Sequence, residues 1–129
     1  MKVSTKPGVR FTTIAPAGFR LLGAIERAAR VVGVPLVITS ACDGTHSGPA
    51  DPHLVGEAYD LRTRTLTPAQ ADAVLLAILG WCRDDPDPPP APVEGVPRSL
   101  ATRNFFGFVE SPGGMNEHIH VQRRKGRVY

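Results

Sequence analysis

His53 and Asp60 stand seven residues apart in the run His53-Leu54-Val55-Gly56-Glu57-Ala58-Tyr59-Asp60, and far downstream lies Glu117-His118-Ile119-His120. Together the two stretches supply three ligands for one divalent metal and leave a carboxylate over to act as a base. Two neutral imidazoles, one carboxylate and one open position describe a catalytic zinc site, whereas a structural site is closed by four protein ligands, commonly thiolates. The only cysteines are Cys42 and Cys82, with no CxxC pair, so a thiolate cage is excluded and two reduced thiols are expected.

Position along a strand or loop decides whether these groups can meet. Strand alternation puts His118 and His120 on one face and Ile119 and Val121 on the other, so the imidazoles face a cleft while the aliphatic pair faces a core. Glu117 has the wrong parity for that cleft. It reaches it only from the point where a hairpin loop runs into the strand. His53 and Asp60, at an odd spacing, cannot share a strand face. A helix would bring them to one side, but Pro52 and Gly56 oppose a helix there. The consistent geometry has His53 in a loop and Asp60 in a strand, with Gly56 permitting a close backbone approach and Ala58 small enough for a packed neighbour.

The elements that must hold these residues follow from periodicity and punctuation. Residues 1–15 read as irregular or edge-like. Phe19, Leu22, Ile25, Ala29 and Val32 recur at helical steps between Pro16, a good start, and Gly33, a good stop. Residues 34–40 read as a buried strand and 56–63 as the next. Thr67 caps a second helix that begins at Pro68 and carries Val74, Leu75, Ile78, Leu79 and Cys82. Six prolines within 84–97 forbid helix and central strand, leaving a long surface loop. Residues 105–111 and 118–124 form a hairpin across Pro112-Gly113-Gly114.

Length and composition bound the rest. The 129 residues suit a single domain spanning 1–129 with a real core. Aromatic residues make up 6%, which argues against a nucleic-acid reader built on stacking. No apolar run approaches the ~20 residues that span a bilayer, and the basic start has no apolar segment behind it, so no secretion signal is expected. A net charge of +3 and a pI near 9.2 suit an anionic polymer, either nucleic acid or bacterial cell wall.

The order His-x-x-Gly-x-Ala-x-Asp, then Glu-x-x-His, resembles the paired motif of the zinc D-Ala-D-Ala metallopeptidases. These include VanX- and VanY-type dipeptidases and carboxypeptidases and the phage L-alanyl-D-glutamate endolysins. Ile38-Thr39-Ser40 before the first motif and Leu61-Arg62-Thr63 after it match as well, and the resemblance covers about residues 15–122. It implies that His53, Asp60 and His120 hold zinc, that Glu117 is the catalytic base, and that His118 is a non-ligand that steadies the oxyanion. It further implies an α+β fold, a small antiparallel sheet with flanking helices, shared with hedgehog-like zinc domains. The implied activity is hydrolysis of peptidoglycan stem peptides by a monomer with no nucleic-acid or membrane partner. The protein would be cytoplasmic, or phage-encoded and released to the wall.

Two departures stand out. Many members carry an arginine just after the Thr-Ser to hold the substrate carboxylate, and here Ala41-Cys42-Asp43-Gly44 occupies that place. Asp43 and His46 become candidates for substrate contact, and Arg62, Arg64 and Arg103 for a carboxylate clamp. Asp51-Pro52 replaces the serine usual before the first histidine. The alternative to an enzyme is a zinc-binding module of the hedgehog-like fold that binds wall or peptide ligands without cutting them.

Overall fold

Proline at the first turn and glycine after the last bound the first helix, α1 (Pro16–Val32), and Gly33 ends it with φ at 77° and its N–H on the Ala29 carbonyl. The second helix, α2 (Pro68–Cys82), begins with a full capping box: Thr67 accepts from the Gln70 N–H, and the Gln70 side chain accepts from the Thr67 N–H. The computed structural model describes residues 2–42, 52–53, 55–83 and 88–124. Asp43 and His46 lie outside the described residues.

Six strands form one sheet: β1 (Val3–Thr5), β2 (Leu36–Ser40), β3 (Ala58–Arg62), β4 (Ser99–Ala101), β5 (Phe105–Glu110) and β6 (His118–Arg123), in the order β1-β2-β3-β6-β5-β4. The class is α+β, as expected, but the sheet is mixed rather than antiparallel. β1 pairs parallel with β2, because α1 returns the chain to the same end of the sheet. The N-terminal segment is thus not wholly irregular, since three of its residues form an edge strand. β4 is a second short edge strand, and the proline-rich segment reaches it through an isolated bridge between Ala91 and Ala101.

Both helices pack on one face of the sheet and against each other. Leu36, Ile38, Tyr59, Leu61, Phe105, Val109, Ile119 and Val121 point into that core. The helix period of α1 is correct, but its buried stripe is rotated from the expected one. Ala17, Gly18, Leu21, Ala24, Ile25, Ala28 and Ala29 are buried, while Phe19 is 62% exposed. Closeness rather than side-chain bulk selects this face. A Cβ on Gly18 would lie 1.9 Å from the Gly56 carbonyl oxygen. Gly56 itself has φ at 74° and no room for a Cβ beside Thr13 and Ile14. Its carbonyl accepts from the Ala15 N–H. Two glycines therefore let the loop between β2 and β3 dock on the start of α1. No helix among the described residues is long and apolar enough to cross a membrane.

This docking is testable by contrast. Gly18→Ala is expected to lower the unfolding free energy by about 1–3 kcal/mol, the usual cost of overpacking. Gly23→Ala, at an open helical position, is expected to raise it by about 0.5–1 kcal/mol. Urea denaturation measures both, and equal effects would contradict the close approach.

Candidate metal centre

The sheet face turned away from the helices carries the chemistry. β3 and β6 are neighbours, and their register sets Asp60 opposite His120 and Arg62 opposite His118. On the far side of β6, Phe108 lies opposite His120 and Glu110 opposite His118. His53 comes from the loop that Gly56 and Gly18 hold in place, and it is buried. Histidine and aspartate from a strand pair and a docked loop thus meet at one end of a polar face.

Three atoms converge. His53 Nε2 lies 3.4 Å from Asp60 Oδ1, His120 Nδ1 lies 2.8 Å from the same oxygen, and the two nitrogens are 3.3 Å apart. Tetrahedral coordination at the 2.0–2.1 Å bond lengths of zinc with nitrogen and oxygen separates ligands by roughly 3.3 Å. The trio could therefore hold a metal ion with little rearrangement.

The outer hydrogen bonds fit the same conclusion. His53 Nδ1 faces the Ala41 carbonyl at 3.0 Å, so it carries the proton and leaves Nε2 with a lone pair. His120 uses the opposite nitrogen. The Gln122 amide donates to the Arg123 carbonyl, which turns its Oε1 toward His120 Nε2 at 2.7 Å. His120 Nε2 is thereby the donor, and Nδ1 faces the trio. The Phe108 ring packs against His120 with centroids 5.3 Å apart.

Without a cation the trio is a charge pair. Burial alone would raise the Asp60 pKa, but hydrogen bonds from His120 and His53 and their positive charge outweigh it and hold the carboxyl well below its usual range. Burial alone would lower the His120 pKa, but the Asp60 hydrogen bond and charge, with Gln122 and Glu110, carry it above the usual value.

The other expected site residues are nearby but placed differently. His118 is outside the trio, with Nε2 3.7 Å from Asp60 Oδ1. Its Nε2 meets Glu110 Oε2 at 2.5 Å and its Nδ1 faces the Asn116 carbonyl at 2.8 Å. Glu117 sits in the loop just before β6, as its parity required. Its carboxylate accepts from the Gly113 N–H at 2.6 Å, and that bond foremost lowers its pKa. The Thr63 hydroxyl fastens the Glu117 backbone carbonyl. Asp60, Glu117 and His118 line one cavity of about 470 Å³, which Arg62 and Arg64 also line. Arg103 lies in a different depression beside the proline-rich segment. Cys42 and Cys82 are not joined in a disulfide, and neither belongs to the trio.

Sequence reasoning overlooked Gln122, Glu110 and Phe108. Gln122 was within reach, since it is two residues beyond His120 and alternation puts it on the same face. Glu110 and Phe108 depended on the hairpin register, which no local signal supplies. No protein-family model matches this chain, and no curated protein or solved structure gives a significant match.

Two outcomes follow from the geometry. The contribution of His120 to stability is complete below its usual value of 6.5 and is lost as pH rises through its higher folded value. That of Asp60 is complete above its usual value of 3.8 and is lost as pH falls through its lower folded value. Urea midpoints of the metal-free protein should therefore be highest between those values and fall on both sides; a flat profile would contradict the pair. Gln122→Ala is expected to weaken zinc binding about 10–100-fold, with Gln122→Glu restoring it. Chelator competition reads both, and unchanged affinity in Gln122→Ala would remove Gln122 from the site.

Proposed function

We propose that this protein is a zinc-dependent peptidase that hydrolyses peptide bonds in the stem peptides of bacterial peptidoglycan. The convergence of His53 Nε2, Asp60 Oδ1 and His120 Nδ1 beside a solvent-open cavity that Glu117 and His118 also line carries this proposal. The paired motif and its resemblance to the zinc D-Ala-D-Ala metallopeptidases supply the substrate class. Two imidazoles and one carboxylate leave a position open and the centre positive, as a hydrolytic site needs.

Bound by the trio, zinc supplies a water of lowered pKa and a Lewis acid for the scissile carbonyl. Glu117 is ionised at neutral pH, the state in which a carboxylate can take a proton from water and return it to the departing amine. It must first release the Gly113 N–H. His118 has both ring nitrogens engaged, Nε2 with Glu110 and Nδ1 with the Asn116 carbonyl, and would have to release Glu110 to donate to charge building on the carbonyl oxygen. The Ala41 carbonyl and the Gln122 side chain, the outer partners of the two histidines, keep the metal-binding nitrogens aimed. The net positive charge favours approach to an anionic wall.

One observation favours the second reading, a zinc-binding module that does not cut. The Glu117 carboxylate is engaged with its own loop rather than with the trio. Digestion of purified peptidoglycan with zinc-loaded protein, followed by mass spectrometry, separates the two. Free D-Ala or a freed L-Ala end is expected, and Glu117→Ala should abolish release while zinc stays bound. Zinc-loaded protein that releases nothing would overturn the peptidase and leave the module.

A further inference from the structure

The sheet face that carries the trio changes character along the strands. The registers of β3, β6, β5 and β4 sort its side chains into rows. Arg62, His118 and Glu110 make the first row, and Asp60, His120, Phe108 and Ser99 the second. Ala58, Gln122, Phe106 and Ala101 make the third. The first row is charged or titratable throughout and meets the cavity that Lys6, Arg62, Glu117 and His118 line. The third row carries no charge, and none of Phe106, Phe108 and Gln122 lines that cavity. The metal ligands thus sit between a charged side and an uncharged, aromatic one.

Phe105, Gly107 and Val109 give β5 its buried side, so Phe106 and Phe108 add nothing to the core beneath the helices. Both are only partly buried. Their rings run in a line from the centre: the Phe108 centroid is 5.3 Å from that of His120, and the Phe106 centroid is 5.4 Å from that of Phe108. The two phenyl planes are inclined by 34°. Their neighbours on β4, Ser99 and Ala101, have no side chain long enough to cover a ring. Apolar surface left in water gains when a ligand covers it, and a ring covers a phenyl face with more contact than a methyl group does. An extended peptide advances about 3.3–3.6 Å per residue. The residue next to a carbonyl held at the trio, or a group attached to that residue, therefore reaches these rings.

We propose that Phe106 and Phe108 form a stacking platform on the uncharged side of the metal centre, which selects ligands carrying a ring within about one residue of the group held by the trio. A ring of this kind has two sources. One is the sugar of a peptide still attached to its glycan, which stacks by its C–H face, and the other is an aromatic side chain. The platform deepens the peptidase reading, on which the word substrate rests, but it is itself a binding property of the metal-loaded chain.

The test is calorimetric titration of the zinc-loaded full chain carrying Glu117→Gln, which blocks turnover. The first pair of probes is N-acetylmuramyl-L-Ala-D-isoglutamine against N-acetyl-L-Ala-D-isoglutamine. The second is N-acetyl-L-Phe hydroxamate against N-acetyl-L-Ala hydroxamate, in which the hydroxamate anchors the probe on zinc. The ring-bearing member of at least one pair is expected to bind about three- to tenfold tighter than its partner. Discrimination in the first pair identifies the sugar, and in the second an aromatic side chain. Adding Phe106→Ala should erase most of the preference and Phe106→Tyr should keep it, with zinc content and circular dichroism unchanged in both. Should Phe106→Ala fail to fold, Phe106→Thr, a strand former without a ring, must reduce the preference. Equal affinities within both pairs, no binding of any probe, or a preference that survives loss of the Phe106 ring would overturn the platform. A wild-type protein that prefers rings but never hydrolyses peptidoglycan would sink the peptidase and keep the platform. Cleavage without ring preference would do the reverse.

Discussion

Asp60 and His120 face each other across the ladder between β3 and β6, and the rest of the centre depends on that pairing. Slipping β3 by one residue against β6 would turn Asp60 to the helical face and bury its carboxylate in the apolar core. The aliphatic residues of the two strands prevent the slip. Tyr59, Leu61, Ile119 and Val121 alternate with the polar residues and are themselves fully buried. The same hydrophobic pattern that packs the helices therefore aims the ligands, and stability and site geometry are one constraint seen from two faces.

His53 is held by a different device. Among the described residues its loop has no ladder, and backbone contacts at Gly56 dock it on the start of α1, which accommodates the chain only because Gly18 has no side chain. The Ala41 carbonyl then fixes the ring. The centre thus combines a rigid strand pair with a docked loop, and the loop side is the one that sequence change can loosen without unfolding the sheet.

Much of this was legible in the chain and some was not, for physical reasons. Helix limits, the hairpin and the Thr67 cap were readable because proline, glycine and threonine act locally, whereas the reciprocal Gln70 bond emerged only in the structure. The loop placement of His53 and the strand placement of Asp60 followed from an odd spacing and from Pro52 and Gly56. The parallel β1–β2 pair was invisible, since three residues carry no periodicity and parallel pairing depends on a crossover. The buried stripe of α1 was misjudged because Phe19 is large and apolar, whereas the interface wants Ala and Gly. Glu110 and Lys6 could be joined to the site only once strand order was known. Asp43 and His46, candidates by resemblance, fall outside the described residues.

X-ray absorption spectroscopy of the zinc-reconstituted protein tests the central claim most directly, because it sees the atoms around the metal. Two imidazole nitrogens with light oxygen neighbours at about 2.0–2.1 Å, at one zinc per chain, is the expected result. Sulfur scattering near 2.3 Å, or failure to retain one equivalent of zinc, would contradict a centre built from His53, Asp60 and His120.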